Sequence, residues 1–327
     1  MGNELFFVNV FPPNDRQSTD FDYRKSLEDV VKYSTDMQFK YTLMTIGDKR
    51  MDPWVLAQRG MEISSAYSPL VAVNPFYQHP LHVVKKIISL KHLYKSKIAI
   101  NLVTGSFFSE LKSLKDDLTF EERSERLIDF FQSMQSLINQ DKKTHSGSFY
   151  TVEPAEVFPK YTFEKFDFFV SGSQMSALNT CKEAHFVQSI RPLEEMPAAT
   201  TQNCGLGIGV CARETREEAL KEMKRLYPDD RKGEMLFHLS LANSSTPWNR
   251  WFKNYIANNS QERADFYLKP MTNFWCSSPF VVGTYQEVAD RIRAYGNLGY
   301  KFFILDFVPE EAGHVKKILE IIRSTKN

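Results

Sequence analysis

Short apolar runs alternate with amphipathic stretches along most of the chain. The stretches between the runs have helical periodicity, and Pro53 and Pro80 stand where the first turn of a helix accepts proline. Alternation of strands and helices without internal repeats predicts an α/β fold, a closed (β/α)8 TIM barrel. The apolar runs that predict its eight strands are 5–10, 41–46, 70–74, 98–103, 166–170, 186–188, 206–211 and 302–307.

The segment from about 228 to 280 interrupts this alternation. It is rich in Asn, Ser and aromatic residues and holds three of the four tryptophans, Trp248, Trp251 and Trp275. Connections of this length inside a compact domain usually have a function, such as a lid over a site. We therefore expect a single barrel domain over 1–327, with 228–280 as an insertion or lid.

Composition narrows the classes of function. The 41 Lys and Arg residues balance 40 Asp and Glu residues, which argues against nucleic acid as a partner. No apolar run reaches the roughly 18 residues of a membrane helix, and the first residues lack the features of a signal peptide. The four cysteines show no CxxC spacing and the histidines no HxxxH pair, so we expect reduced thiols, no metal and a cytoplasmic protein.

Polar residues at the end of the fourth predicted strand are candidates for ligand binding. Barrels carry their chemistry at the carboxyl ends of their strands, and this strand ends with Asn101, Thr104 and Gly105. The two side chains can donate hydrogen bonds, and the glycine lets a flat or anionic ligand approach the backbone. The alternative is a polar strand end that is satisfied by local backbone.

A second candidate follows the fifth predicted strand, at Ser171, Gly172 and Ser173. A turn of small residues before a helix presents free backbone N–H groups and the positive end of the helix dipole to an anion. The serine hydroxyls add donors. An ordinary serine N-cap is the alternative.

Several motifs along the chain resemble, in the same order, those of one enzyme family. They are Ser-Pro-Leu-Val-Ala-Val at 68–73, His-Pro at 79–80, Asn-Leu-Val-Thr-Gly at 101–105, Val-Ser-Gly-Ser at 170–173, the helix start at 212–219 and the Val-Gly-Thr segment at 282–292. The family is that of the bacterial luciferase-like flavin monooxygenases, and the resemblance is closest to the alkanesulfonate monooxygenase branch.

The resemblance implies an oxidoreductase of this fold, a monooxygenase that acts on a small organic substrate, and the departures described below favour a substrate from specialised metabolism. It implies reduced FMN supplied by a separate flavin reductase, reaction with O2 through a C4a-peroxyflavin, and a homodimer formed by the helices at 53–65 and 79–93. The FMN contacts would be Asn101, Thr104 and Gly105, with the phosphate at 171–173. F420 as the cofactor and a heterodimer remain open alternatives.

The chain departs from the family pattern where the family has catalytic groups. The Arg and His of the seventh strand correspond to Gly207 and Gly209, and the phosphate-contacting Tyr of the fourth helix corresponds to Leu127. A sulfonate substrate is therefore not expected. A non-catalytic flavin-binding or partner subunit of the same fold is the alternative function. His79 and His238 are candidate acid–base groups, although a lone histidine is more often structural.

Candidates for substrate binding lie after the second strand and in the insertion. Arg50 can grip a carboxylate, sulfonate or phosphate through its planar guanidinium, with Asp48 beside it. The alkanesulfonate enzymes have a Cys at the position of Arg50. A solvated charged turn is the alternative interpretation for 48–50. Trp275 is the candidate from the insertion.

Overall fold

The computed structural model describes residues 5–11, 22–47, 50–105, 108–140, 144–159, 166–172, 180–242, 246–260 and 262–324. Its strands are β1 Phe6–Val10, β2 Tyr41–Met44, β3 Pro69–Val73, β4 Ala99–Leu102, β5 His145–Ser146, β6 Thr151–Val152, β7 Phe168–Ser171, β8 His185–Ser189, β9 Cys204–Arg213, β10 Glu262–Arg263, β11 Phe266–Tyr267, β12 Phe280–Thr284 and β13 Phe302–Asp306. Its helices are α1 Tyr23–Asp36, α2 Pro53–Ile63, α3 Pro80–Tyr94, α4 Phe108–Leu114, α5 Phe120–Asn139, α6 Arg216–Leu226, α7 Arg231–Ala242, α8 Pro247–Asn258, α9 Lys269–Thr272, α10 Tyr285–Asn297 and α11 Ala312–Ser324. Short 3-10 turns lie at Leu193–Glu195 and Pro309–Glu311.

The strand order confirms the predicted fold class. Eight strands follow one another as β13-β1-β2-β3-β4-β7-β8-β9, and β9 pairs with β13 to complete the cycle. A cyclic order of parallel strands connected by helices is the topology of a (β/α)8 barrel. Strand β3 is buried at every residue, as expected for a strand covered on both faces.

Strand β12 is an addition that the sequence pattern did not predict. Strand β9 is ten residues long, and its first half pairs with β13 through Gly209, which lies opposite Asp306. From Gly209 to Arg213 it pairs in parallel with β12 instead. The strand therefore passes from the barrel ladder to a second ladder, which the β10–β11 hairpin extends.

Helices α7, α8 and α9 occupy much of the segment predicted as an insertion. Part of its aromatic content packs within these helices, for example Trp248 stacked on Phe252 with ring centroids 4.6 Å apart. Whether the segment acts as a lid stays a prediction. No helix in the described part of the chain is long and apolar enough to cross a membrane.

Several helices begin at a side chain that caps their first backbone N–H groups, or with proline in the first turn. Asp52 accepts hydrogen bonds from the backbone N–H groups of Trp54 and Val55, and Pro53 takes the first position of α2. Thr215 and Thr284 form capping boxes at the starts of α6 and α10. Such caps satisfy N–H groups that have no partner within the helix, so they fix where each helix begins.

The chain forms two compact units. The amino-side unit draws its described residues from Pro13–Thr35 and Tyr41–Phe186. The carboxyl-side unit draws its described residues from Met1–Pro12, Asp36–Lys40 and Val187–Asn327. The predicted single domain over 1–327 remains an interpretation of the barrel topology.

Candidate functional site

Three neighbouring strands of the amino-side unit end in polar residues. Strands β3, β4 and β7 are adjacent and parallel, with Ala72 opposite Asn101 and Asn101 opposite Phe169. This register places the ends of the strands side by side. The residues that it brings to this edge are Asn74, Asn101, Thr104, Gly105, Ser171 and Gly172, which we call the polar shelf.

Two of the predicted cofactor residues contact each other directly. The hydroxyl of Ser171 donates a hydrogen bond to Oδ1 of Asn101 over 2.9 Å. Asn101 is 3% exposed and Thr104 is 9% exposed, so both residues are buried and have little contact with bulk water. A phosphate would accept a hydrogen bond from the Ser171 hydroxyl only after that hydroxyl rotates about its Cβ–Oγ bond. The Ser171–Asn101 hydrogen bond fixes the two side chains relative to each other, and a phosphate would have to replace Asn101 as the acceptor.

The two glycines of the shelf differ in the space around them. Both have positive φ, +76° at Gly105 and +135° at Gly172, a backbone conformation that side chains disfavour. A Cβ at Gly105 would lie 2.9 Å from Nδ2 of Asn74, whereas a Cβ at Gly172 would have no neighbour within 4 Å among the described residues. Of the two glycines, Gly172 is therefore the one that no described side chain crowds. The glycine at 105 instead permits close packing against Asn74.

Asn74 is a member of the shelf that sequence reasoning missed. It is 2% exposed, and its Oδ1 accepts a hydrogen bond from the backbone N–H of Phe76. It comes directly after β3, as Ser171 ends β7. A polar residue that closes a fully apolar strand was the available signal.

A hairpin covers the loop that follows Asn74. Strands β5 and β6 form this hairpin, and the hydroxyl of Tyr150 beside it donates to the carbonyl oxygen of Pro75 over 2.8 Å. Burial raises the pKa of Tyr150 to about 12, so the phenol remains a donor at neutral pH. The buried carboxylate of Asp129 accepts from the backbone N–H of Tyr150 and contacts Nε2 of His145 at 2.7 Å. The hairpin is thereby held to α5.

A buried ion pair also supports this loop. The guanidinium of Arg126 contacts both carboxylate oxygens of Asp116, at 3.1 and 2.6 Å. The same guanidinium lies 5.3 Å from the ring centroid of Phe76, within the range of a cation–π contact. Arg126 thus connects α5 both to Asp116, in the segment between α4 and α5, and to Phe76 in the loop after β3.

The other predicted residues of the amino-side unit have local partners. Nδ1 of His79 accepts from the backbone N–H of Leu81 and caps α3, and its ring is exposed and lies edge-on to Tyr150. The guanidinium of Arg50 donates to the hydroxyl of Thr45 over 2.5 Å. Asp48 and Ser173 lie outside the described residues. Their predicted roles, and those of His79 and Arg50, stay predictions.

His238 and Trp275 belong to the carboxyl-side unit. His238 is exposed on α7 and lines a cleft of about 360 Å³ with Glu234 and Lys269. The indole N–H of Trp275 donates to Asp230 over 2.9 Å, and its ring packs on Tyr227. Trp275 therefore makes packing and hydrogen-bond contacts within the carboxyl-side unit.

Two of the glycines of β9, Gly207 and Gly209, lie where the sequence resemblance predicts an Arg and a His in the family. A Cβ at Gly209 would lie 2.1 Å from a ring atom of Phe280, and one at Gly205 would lie 2.4 Å from the ring of Phe302. Both phenylalanines are almost fully buried. At Gly207 the nearest atom would be Oγ of Ser278 at 3.0 Å. A ring from a neighbouring strand thus occupies the space that a larger residue at 209 would need.

Nothing in the described residues points to a metal. Within them, no group of three or more His, Cys, Asp or Glu side chains is arranged to hold a metal ion. The four cysteines are free thiols. Cys211 is buried, and burial raises its pKa to about 12, so its thiol stays protonated at neutral pH.

One family model and one curated relative that match this chain are both described as monooxygenases. The family model described as luciferase-like monooxygenase matches residues 68–164, which include β3, β4 and the covering hairpin. A curated relative from Niallia circulans is 27% identical over 286 residues, covering 83% of each chain. Its name is 4-(gamma-L-glutamylamino)butanoyl-[BtrI acyl-carrier protein] monooxygenase BtrO.

Solved structures share the fold. EDTA monooxygenase from Chelativorans sp. BNC1 aligns with a TM-score of 0.74 at 15% identity, covering 99% of this chain and 94% of the other. The oxygenating constituent of 3,6-diketocamphane monooxygenase from Pseudomonas putida, in complex with FMN, aligns with a TM-score of 0.68 at 12% identity, covering 98% and 97%.

Proposed function

We propose that this chain, a member of the bacterial luciferase-like monooxygenase family, is a two-component monooxygenase that uses reduced FMN. A separate flavin reductase supplies the reduced cofactor, and O2 and a small organic molecule are the substrates. The proposed location is the cytoplasm, where soluble flavin and its reductase meet.

The observation that carries this proposal is the polar shelf. It combines buried amide and hydroxyl groups at Asn101 and Thr104, the Ser171–Asn101 hydrogen bond, and the positive φ of Gly172, a backbone position that no described side chain crowds. A flavin has a polar edge and a phosphate that need such donors, and its flat ring needs an approach without a Cβ in the way. These residues fit the cofactor.

The residues of the shelf would bind and orient the cofactor. When bound, reduced FMN supplies the two electrons with which one oxygen atom of O2 enters the substrate and the other leaves as water. Asn101 and Thr104 would hold its polar edge, and the turn at Ser171 and Gly172 would receive its phosphate. The buried strands beneath the shelf exclude water from that face.

We further propose that the substrate is an acyl group carried on a protein as a thioester. The relative from Niallia circulans is named for a substrate attached to an acyl carrier protein. The absence of the family's Arg and His at Gly207 and Gly209 agrees with a substrate other than an alkanesulfonate. Carrier-bound intermediates are typical of specialised metabolism.

A non-catalytic flavin-binding subunit is the second candidate, favoured by the ring of Phe280 at Gly209. Stopped-flow mixing of the FMNH2-loaded protein with O2 distinguishes the two. The enzyme is expected to slow and redirect flavin oxidation and to yield hydroxylated product with a carrier-bound acyl group. Oxidation at the rate of free FMNH2, with no product, would assign the chain to the second class.

Ser171→Ala is expected to weaken FMN binding by roughly ten- to a hundredfold, because a hydrogen bond to a charged group is typically worth about 1.5–3 kcal/mol. Adding Ser173→Ala is expected to weaken binding further. FMN affinity is read from fluorescence quenching. The matched control is Ser96→Ala, whose hydroxyl bonds the carbonyl of Ser65 at the opposite end of β4. Wild-type affinity in the 171/173 double variant would remove the phosphate assignment.

Arg50→Ala is expected to raise the KM for an acidic substrate several-fold while leaving FMN affinity unchanged. The guanidinium contacts the Thr45 hydroxyl and offers further donors to an anion. Steady-state kinetics and FMN titration separate the two effects. Loss of FMN binding would move Arg50 to the cofactor site, and no change in either would leave 48–50 a solvated turn.

We propose a homodimer formed through α2 and α3. Val55 on α2 is 57% exposed and Leu93 on α3 is 67% exposed, and these are large apolar side chains on the two helices predicted to pair. Val55→Glu with Leu93→Glu is expected to yield a monomer in sedimentation velocity at micromolar concentration. A wild-type monomer under the same conditions contradicts the assignment.

A further inference from the structure

The β5–β6 hairpin lies outside the barrel sheet. In the described structure its two strands pair with each other and are two residues long each. A two-stranded hairpin is at best marginally stable by itself in water. Contacts with the rest of the amino-side unit must therefore hold it in place, and those contacts lead toward the polar shelf.

The carboxylate of Asp129 on α5 makes the first of these contacts. It accepts hydrogen bonds from the backbone N–H groups of Phe149 and Tyr150, at 2.6 and 3.0 Å, and contacts Nε2 of His145 at 2.7 Å. A Cβ at Gly147 would overlap this carboxylate, so the hairpin approaches it closely only because residue 147 is glycine. The side chain of Asp129 is 8% exposed. The hairpin is thus fastened to a buried point on α5.

The side chain of Tyr150 extends this attachment to the loop after β3. Its hydroxyl donates a hydrogen bond to the carbonyl oxygen of Pro75 over 2.8 Å. Its ring lies edge-on to Phe130 of α5, with centroids 5.4 Å apart, and edge-on to His79 at 5.9 Å. Because these ring contacts fix the direction of the hydroxyl, the hairpin holds Pro75 through one well-defined bond.

Asn74, a member of the polar shelf, precedes Pro75 in that loop. Its Oδ1 accepts from the backbone N–H of Phe76, so the side-chain amide turns with the backbone of the loop. Its Nδ2 lies against Gly105, where an added Cβ would be 2.9 Å away. Loss of the Tyr150 hydroxyl would remove the donor that Pro75 receives from the hairpin, and a carbonyl that loses a donor turns toward water. The Asn74 amide would move with it.

We propose that Tyr150 is a positioning residue for cofactor binding at the polar shelf. Its hydroxyl keeps the Asn74 turn in the arrangement that accepts the flavin, and it acts through Pro75 and Asn74 rather than by contact with the cofactor. The inference rests on the proposed function, in which the shelf binds FMN. Without the hydrogen bond the turn exchanges between competent and displaced arrangements, and the apparent Kd for FMN rises in inverse proportion to the competent fraction.

Tyr150→Phe removes the donor and keeps the ring. We expect the Kd for FMN, read from fluorescence quenching, to rise about three- to tenfold, the scale of one hydrogen bond between uncharged groups. The matched control is Tyr300→Phe. The hydroxyl of Tyr300 donates to the carbonyl oxygen of Pro197 over 3.0 Å, and burial raises the pKa of its phenol to about 12, as it does for Tyr150. The control is expected to bind FMN as wild type does, and equal losses in the two variants would overturn the proposal.

Hydrogen exchange tests whether the effect runs in both directions. If Tyr150 links the hairpin to the shelf, FMN must stabilise the hairpin in return, because coupling between two sites is reciprocal. We expect saturating FMN to slow exchange of the backbone N–H groups of Phe149 and Tyr150, measured by mass spectrometry on peptides covering 145–152. The slowing is expected to disappear in Tyr150→Phe and to persist in Tyr300→Phe, a difference that a purely structural role would not produce. Slowing that persists in Tyr150→Phe would indicate direct contact between hairpin and cofactor and would overturn the proposal.

A double-mutant cycle with Asn74→Ala tests the path of the effect. Substitutions that act through one shared contact are not additive, so Tyr150→Phe is expected to add little to the loss of FMN affinity in Asn74→Ala. Fully additive losses would contradict a path through Asn74.

The outcomes separate this inference from the proposed function. A protein that binds FMN with the expected effect of Tyr150→Phe, but gives no oxygenated product, refutes the proposed activity and supports the positioning role. A monooxygenase whose FMN affinity is the same with and without the Tyr150 hydroxyl refutes the positioning role alone. A chain without measurable FMN affinity refutes both.

Discussion

Gly209→Ala is expected to destabilise the fold by about 3 kcal/mol or more, the upper part of the range for overpacking a core. The added Cβ would lie 2.1 Å from a ring atom of Phe280, which is 1% exposed and packs with Tyr227 and Tyr267. Neither the ring nor the backbone of β9 can move without disturbing the ladder to β12. Urea denaturation followed by circular dichroism measures the loss.

Gly207→Ala on the same strand is the matched control. Its Cβ would meet Oγ of Ser278 at 3.0 Å, the end of a small side chain that can turn aside. We expect a cost below about 1 kcal/mol, within the usual range for a mild substitution. Similar losses at 207 and 209 would show that the ring of Phe280 does not determine the identity of residue 209.

The different space at positions 207 and 209 limits which side chains these positions can hold. The sequence resemblance predicts that an Arg and a His of the family stand at the positions of Gly207 and Gly209, and two substitutions would introduce them here. The ring of Phe280 opposes the substitution at 209, where even a methyl group does not fit. A larger residue at 209 therefore requires the ring of Phe280 to move first.

Much of the barrel was predictable because its signals are local. Apolar runs marked β1 to β4 within a few residues, and Asp52 and His79 marked the starts of α2 and α3. Strand β12 was missed because the Val-Gly-Thr segment at 282–292 was interpreted only as a family motif and its short apolar run was not assigned to a strand; Thr284 ends that strand and caps α10. Its pairing with the far half of β9 depends on where β9 leaves the barrel ladder, which no local pattern specifies.

The candidate site was predictable residue by residue but not as an arrangement. Asn101 and Ser171 were each singled out as strand ends, yet the hydrogen bond between them spans 70 positions and depends on β4 lying beside β7. Asn74 was missed for the same reason, since its place next to Gly105 follows from β3 lying beside β4. Strand order decides which polar ends meet, and periodicity does not encode strand order.

The ion pair beneath the loop after β3 has no distinctive sequence pattern, because Asp116 and Arg126 read as ordinary surface charges around a helix start. In the structure their side chains are 2% and 10% exposed. Asp116→Ala is expected to destabilise the protein by about 3–5 kcal/mol, since it leaves a buried guanidinium without its counter-charge. Arg126→Met, which leaves the carboxylate, is expected to cost a similar amount. Urea denaturation measures both.

The double variant Asp116→Leu, Arg126→Met decides between two possibilities. Either the ion pair adds net stability to the fold, or each charge only compensates the cost of burying the other. Replacing both charges with apolar groups of similar volume removes the desolvation penalty together with the attraction, so we expect stability within about 1–2 kcal/mol of wild type. The Nε atom of Arg126 is buried without a hydrogen-bond partner in the described structure, which adds to the cost of keeping the pair. A double variant as unstable as Asp116→Ala would contradict this account and would mean that the cation over Phe76 holds the loop beside the polar shelf.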